Sequence, residues 1–298
     1  MKLKSFYQTL LILLAFISLT TLVGCSKDSV SPAPPVDETV DKGHEEWGKV
    51  TFTFTKGHLH GSLFHGDPIN PETKYFVSKQ EISFEVDEKG NVVPSTTEPI
   101  RFIKDVHYGL EITYYNKNGE RMNSEFTSAE MAPIHQHFFL NKNVKDLLTN
   151  KDLGNHLDIF KYSYRDTEPE DQMFYISPNA KLRPKNDPIG LKGYFYITDK
   201  YKTFDLNILL VHVVKGTKLD DNGNPYPFDK PSKRILGTQD LNIKIPVKIY
   251  TEHPGGSDAE VDKFIKDIAR EFNITEEEAY DDWDKSFDAP HDSSKYYM

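Results

Sequence analysis

Cysteine is almost absent: the 298 residues contain one, Cys25, so no disulfide can form within the chain. Long apolar runs are absent too. The longest, residues 10–23, is short for a ~30 Å hydrocarbon layer, which takes ~20 residues to cross. Basic charge is in deficit, with 36 Lys and Arg against 46 Asp and Glu, for a net charge of −10. Binding to nucleic-acid phosphates needs clustered cations, so nucleic acid is not an expected partner. His-Glu-x-x-His, Gly-x-Ser-x-Gly and P-loop patterns are missing, and with them the main sequence signals for a zincin, a serine hydrolase or an NTPase.

What is present starts at the N-terminus. A basic head with Lys2 and Lys4 precedes the apolar run, which has the length of a signal-peptide h-region. The run ends in Leu22, Val23, Gly24 and Cys25. These four residues resemble the lipobox of bacterial lipoproteins, which implies cleavage of a signal at 1–24 and lipidation of Cys25. An ordinary secretory signal with an incidental cysteine is the alternative. Cleavage would remove two lysines and no acids, taking the charge from −10 to −12. An acidic surface favours cationic ligands, and it also keeps a protein soluble. Ser26 to Ser29 loosely resemble the export signal of surface lipoproteins of Bacteroidota. Residues 25–46, Pro-rich and then acidic, have too little apolar content to fold and are expected to form a tether.

From residue 47 onward, alternation is the main signal. Val50, Phe52 and Phe54 alternate with threonines, Ile82 to Val86 repeats the pattern, and Leu110 to Tyr114 repeats it again. Asn118-Gly119 is a hairpin signal. With Ile134 to Leu140, these predict a first β-sandwich over 47–142. Residues 143–153 are expected to be a connector with a turn or two of helix. A second series over 155–252 predicts a second sandwich. Ser257 to Glu260 and Thr275 to Glu278 fit capping boxes, and they predict C-terminal helices over 257–287. The expected fold is therefore mostly β, with two immunoglobulin-like sandwiches and a helical appendage.

Ile134-His-Gln-His-Phe138, Tyr162-Ser-Tyr164 and Pro188-Ile-Gly-Leu191 occur in that order. In this the chain resembles lipoproteins of Bacteroidota that accompany TonB-dependent outer-membrane receptors. The likeness covers residues 130–250 and rests on short motifs. It implies immunoglobulin-like sandwiches and a role in capturing iron, haem or other metals.

Eleven histidines are present, and five fall in two short stretches: His58, His60 and His65, then His135 and His137. On a strand, residues i and i+2 share a face ~6.6 Å apart, so a His-x-His pair can converge on one ion. Gly57, Gly61 and Gly66 would let the backbone bend around it. In the first strand His58 and His60 share the parity of Phe52 and Phe54, provided no bulge intervenes at Gly57. In the last, Ile134, Phe138 and Leu140 are expected to face the core, with His135 and His137 opposite. The two pairs together predict one site, with His65 as a fifth nitrogen. Four nitrogens suit zinc or copper, and an added water or Asp67 would suit iron. Haem with axial histidines is the variant. The competing view is that these are hydrogen-bonded surface histidines.

Other candidates are weaker. His107 and His212 lie in apolar strands and read as core or inter-strand histidines, residues 220–224 as a turn, and Asp281, Asp282 and Asp284 as a solvated helix face. The expected function is a surface lipoprotein that binds a transition metal or metal complex and passes it to an outer-membrane transporter. A metal-dependent enzyme is the rival, since Gly57-His-Leu-His60 faintly resembles the copper ligands of superoxide dismutase. An adhesin or structural accessory with no metal role is the third reading.

Overall fold

The computed structural model describes residues 44, 46–174, 176–236, 238–289 and 298. The expected signal segment, Cys25 and the tether up to residue 43 lie outside the described residues. Among the described residues no helix is long and apolar enough to cross a membrane.

The chain is mostly β. Its strands are β1 (Trp47–His60), β2 (Leu63–Gly66), β3 (Lys79–Val86), β4 (Val92–Pro94), β5 (Ile100–Lys104), β6 (His107–Asn116), β7 (His135–Asp146), β8 (Asp152–Gly154), β9 (Phe160–Tyr164), β10 (Thr167–Glu168), β11 (Lys181–Leu182), β12 (Lys192–Ile197), β13 (Lys202–His212) and β14 (Thr238–Glu252). One large sheet has the order β4-β3-β1-β6-β12-β9, with β2 attached to β1; the other runs β5-β14-β13-β7-β8, and β10 and β11 form a small two-stranded sheet of their own. Pairing within both sheets is antiparallel except for β5 beside β14.

The alternation of β1 has the expected consequence, burying Val50, Phe52 and Phe54 completely. The two sheets face one another over a shared core. Ring centroids meet across the layers at 5.6 Å for Phe54–Phe102, 5.6 Å for Phe139–Phe195 and 6.0 Å for Phe160–Phe204.

The expected division into separate sandwiches over 47–142 and 155–252 does not hold. β6 pairs with β12, β7 with β13, and β5 with β14, so strands from both segments build both sheets. Alternation reports which face of a strand is buried and is silent on which strand lies beside it. The expected connector over 143–153 is instead the end of β7, a turn and β8.

The facing of β7 is also opposite to expectation. Phe138 and Leu140 meet Leu209, Val211 and Ile235 in a separate small cluster, while Phe139 joins the main core. His135 and His137 share the parity of Phe139 and are fully buried. Both faces of β7 are covered, so apolar residues mark neither face as the inner one.

At the C-terminus both capping boxes form, with Ser257–Glu260 starting the helix Asp258–Phe272 and Thr275–Glu278 starting the helix Glu276–Lys285. Phe264 meets Phe76 at 5.8 Å, which docks the first helix. Asp282 is a correction to the solvated face expected for it: it is 4% exposed and accepts hydrogen bonds from three backbone N–H groups, of Lys74 (2.7 Å), Tyr75 (2.9 Å) and Phe76 (2.7 Å). Asp281 and Asp284 do lie exposed. Replacing Asp282 with Ala strands three buried donors and is expected to cost about 3 kcal/mol in urea denaturation. The exposed Asp281→Ala is expected to stay within ~0.5 kcal/mol of the parent.

Candidate metal centres

The structure divides the histidines into two groups rather than one. The first sits on the β1–β2 hairpin. Its register sets Gly57 opposite Gly66, His58 opposite His65 and His60 opposite Leu63, leaving Gly61 and Ser62 as the two-residue turn. Gly61 takes a positive φ of 65°, which such a turn demands. At Gly57 a Cβ would stand 2.1 Å from the His65 carbonyl oxygen, so only glycine fits there. No register shift occurs at Gly57, so His58 and His60 keep one face of β1.

That register puts three imidazoles on one face. One nitrogen from each of His58, His60 and His65 lies within 4.8 Å of the others. The Nε2 atoms of His58 and His60 are 3.1 Å apart, close to the ~3.3 Å edge of a tetrahedron with metal–nitrogen bonds of ~2.0–2.1 Å. His65 is buried beneath, whereas His58 and His60 are exposed.

His58 is oriented from behind. Its Nδ1 donates to Asp67 Oδ1 at 2.9 Å, and Lys56 Nζ reaches Asp67 Oδ2 at 2.9 Å. Burial works to raise the Asp67 carboxyl, but Lys56 and His58 together hold it below its usual value, so it stays ionised. A carboxylate acts only as an acceptor. His58 Nδ1 must therefore carry the proton, which leaves the Nε2 lone pair for a ligand. Asp67, considered from the sequence as a ligand for iron, serves here to position a histidine.

The second group contains only one histidine expected from the sequence. His135 opens β7 and stands directly opposite His212, the last residue of β13. Asp240 lies on β14, where the ladder steps from Leu210–Leu241 to Val211–Gln239, making Asp240 the extra residue of a β-bulge. A bulge of this kind turns a side chain to a new direction. His44, just ahead of β1, completes the set. Asp240 Oδ2 is 3.1 Å from His44 Nε2, 3.2 Å from His135 Nε2 and 3.2 Å from His212 Nδ1. The four side chains are between 0% and 9% exposed. The Trp47 indole N–H donates to the Asp240 carbonyl at 2.8 Å and fixes the backbone of the bulge.

His44 fell within the expected tether, His212 read as a core histidine, and Asp240 carried no signal at all. His212 and Asp240 are tied to His135 by strand pairing and a bulge, and His44 joins them from the chain ahead of β1, none of which has a local spacing. Only His212 carried a usable signal, as a histidine ending an apolar strand.

His137 belongs to neither group, contrary to expectation. It lies in a fixed hydrogen-bond network: Nδ1 donates to the Ile189 carbonyl at 2.8 Å, and Nε2 accepts from the Tyr114 hydroxyl at 2.7 Å. Burial pushes its pKa down to about 3, so the ring is neutral, as both bonds require. Tyr164 donates to the His137 carbonyl at 2.7 Å. Asp166 accepts from the backbone N–H groups of Ile189, Gly190, Leu191 and Lys192 and so holds the Pro188–Leu191 segment against β7. Gly190, at φ 90°, would place a Cβ 2.8 Å from that of His137. The three motifs that carry the resemblance thus meet around His137, in a structural role.

Comparison with protein-family models, curated proteins and solved structures returns no match.

Tyr114→Phe is expected to cost about 1 kcal/mol, and His137→Leu about 2–3 kcal/mol with Tyr114 left as a buried hydroxyl. Metal content should be the same in both variants as in the parent. Chemical denaturation and elemental analysis check the two statements separately.

Proposed function

We propose that this protein binds a transition-metal ion reversibly at His58, His60 and His65, as a capture protein that passes metal to a transporter. The observation that supports the reading is the convergence of three imidazoles, 3.1 Å apart at the closest pair, on a hairpin face where two of them are exposed. Three protein ligands leave a four-coordinate ion with an open position, through which an ion or a displacing ligand can enter. Neutral nitrogen donors suit zinc and copper.

An ion fits better than haem. Axial nitrogens on opposite faces of a haem iron stand roughly two ~2 Å bonds apart, further than His58 and His60 are. The wider reading retains the expectations from the sequence: a lipid anchor at Cys25, display at the outer membrane and a TonB-dependent receptor as recipient. The N-terminal residue pattern and the acidic charge are its support. An immunoglobulin-like kinship belongs to the same proposal, supported by two mainly antiparallel sheets around one core. Hydrolysis is a second reading, because three imidazoles and an open position also suit a zinc-bound water.

His58→Ala/His60→Ala alters exposed side chains and should leave the fold intact. Equilibrium titration with zinc or copper should show one rapidly exchanging equivalent fewer in the variant. Uptake at this site should weaken as pH falls, because protons compete for the same nitrogens. Identical uptake by parent and variant would remove the capture role and bring forward the adhesin or accessory reading. Ester turnover that disappears in the variant would favour hydrolysis.

A further inference from the structure

The geometry points to a second metal centre, closed and structural: His44, His135, His212 and Asp240 hold one four-coordinate divalent ion, zinc by its donor set. This centre fastens the chain entering β1 to the ends of β7 and β13 and to the bulge of β14. It is independent of the capture site on the hairpin.

The protons carry the argument. His135 Nδ1 lies 2.8 Å from the Met131 carbonyl oxygen, which can only accept, so Nδ1 bears the hydrogen. Nε2 is then the nitrogen that remains for a ligand. It points at Asp240 Oδ2, an acceptor, at 3.2 Å. His137, two residues along the same strand, is a built-in comparison. Its Nδ1 also donates to a carbonyl, but its Nε2 faces a hydroxyl that can donate. The second nitrogen of one histidine meets a hydroxyl; that of the other meets a carboxylate shared with two more imidazoles, the donor set of a cation site.

The shape agrees. Three nitrogens stand 3.1, 3.2 and 3.2 Å from a single oxygen. This is the relation of three vertices of a tetrahedron to the fourth, with edges of ~3.3 Å for bonds of ~2.0–2.2 Å. One carboxylate and three imidazoles fill four positions and leave none open, the pattern of a structural site. Outer contacts hold two of the ligands in place: Met131 orients His135, and Trp47 braces the Asp240 backbone. The bulge brings Asp240 in where regular pairing would not.

The test uses the full chain carrying His58→Ala/His60→Ala, which removes the exchangeable site and separates failure here from failure there. Purified with zinc and passed through gel filtration, it should retain one zinc per chain. Cobalt in place of zinc should give the visible bands of a four-coordinate ion. In the same background, Asp240→Asn and His44→Ala should each weaken zinc by about 100-fold or more, beyond the 10–100-fold typical of losing an outer partner. Zinc should slow amide exchange around His44 and Trp47 in the background chain and leave it unchanged in His44→Ala. Absence of stoichiometric zinc and of cobalt bands in the background chain would overturn the proposal, whether or not the variants fold. Zinc retained undiminished in both variants would overturn it equally.

Discussion

Antiparallel pairing of β7 with β13 is the constraint that places the interior histidines. It joins an early segment of the chain to a late one, and it sets His135 directly opposite His212. From His135 to Phe139 the odd-numbered side chains of β7 face the space between the sheets, and His135 and His137 are fully buried there. The bulge on the far side of β13 then brings Asp240 to the same place. Each step is a backbone event, and each fixes the direction of a side chain.

Chemistry at these positions is decided by how many hydrogens an imidazole has to offer. A neutral ring has two nitrogens and one N–H, and a partner that can only accept claims the hydrogen. His58 gives its hydrogen to Asp67, His135 to Met131 and His137 to Ile189. What faces the second nitrogen then separates the roles. For His137 it is a tyrosine hydroxyl, which completes a structural network. For His58 it is another histidine at an exposed edge, and for His135 a carboxylate in the interior. Three histidines with similar first contacts therefore differ in their surroundings through the second.

Local features were legible in the sequence. The alternation in β1, the turn at Asn118-Gly119 and the two capping boxes all depend on residues within a few positions of one another. The grouping of His58, His60 and His65 is local in the same sense, since one hairpin contains it. His44, His212 and Asp240 were not legible as ligands, because only the folded chain brings together residues so far apart in sequence. Asp282 misled for a related reason: an acidic run reads as solvated, yet one member turns inward to N–H groups 206 to 208 positions away. Interleaving of the two halves into shared sheets was hidden likewise, as periodicity does not name a strand's neighbour.

The central claim is that the histidines form two separate metal centres, one open at a hairpin and one closed between sheets. Anomalous diffraction at the zinc edge, from crystals of the chain grown with zinc, tests it most directly. Two peaks are expected, one among His58, His60 and His65 and one enclosed by His44, His135, His212 and Asp240. A single peak bridging His58, His60, His135 and His137, or no peak within reach of either group, would contradict it.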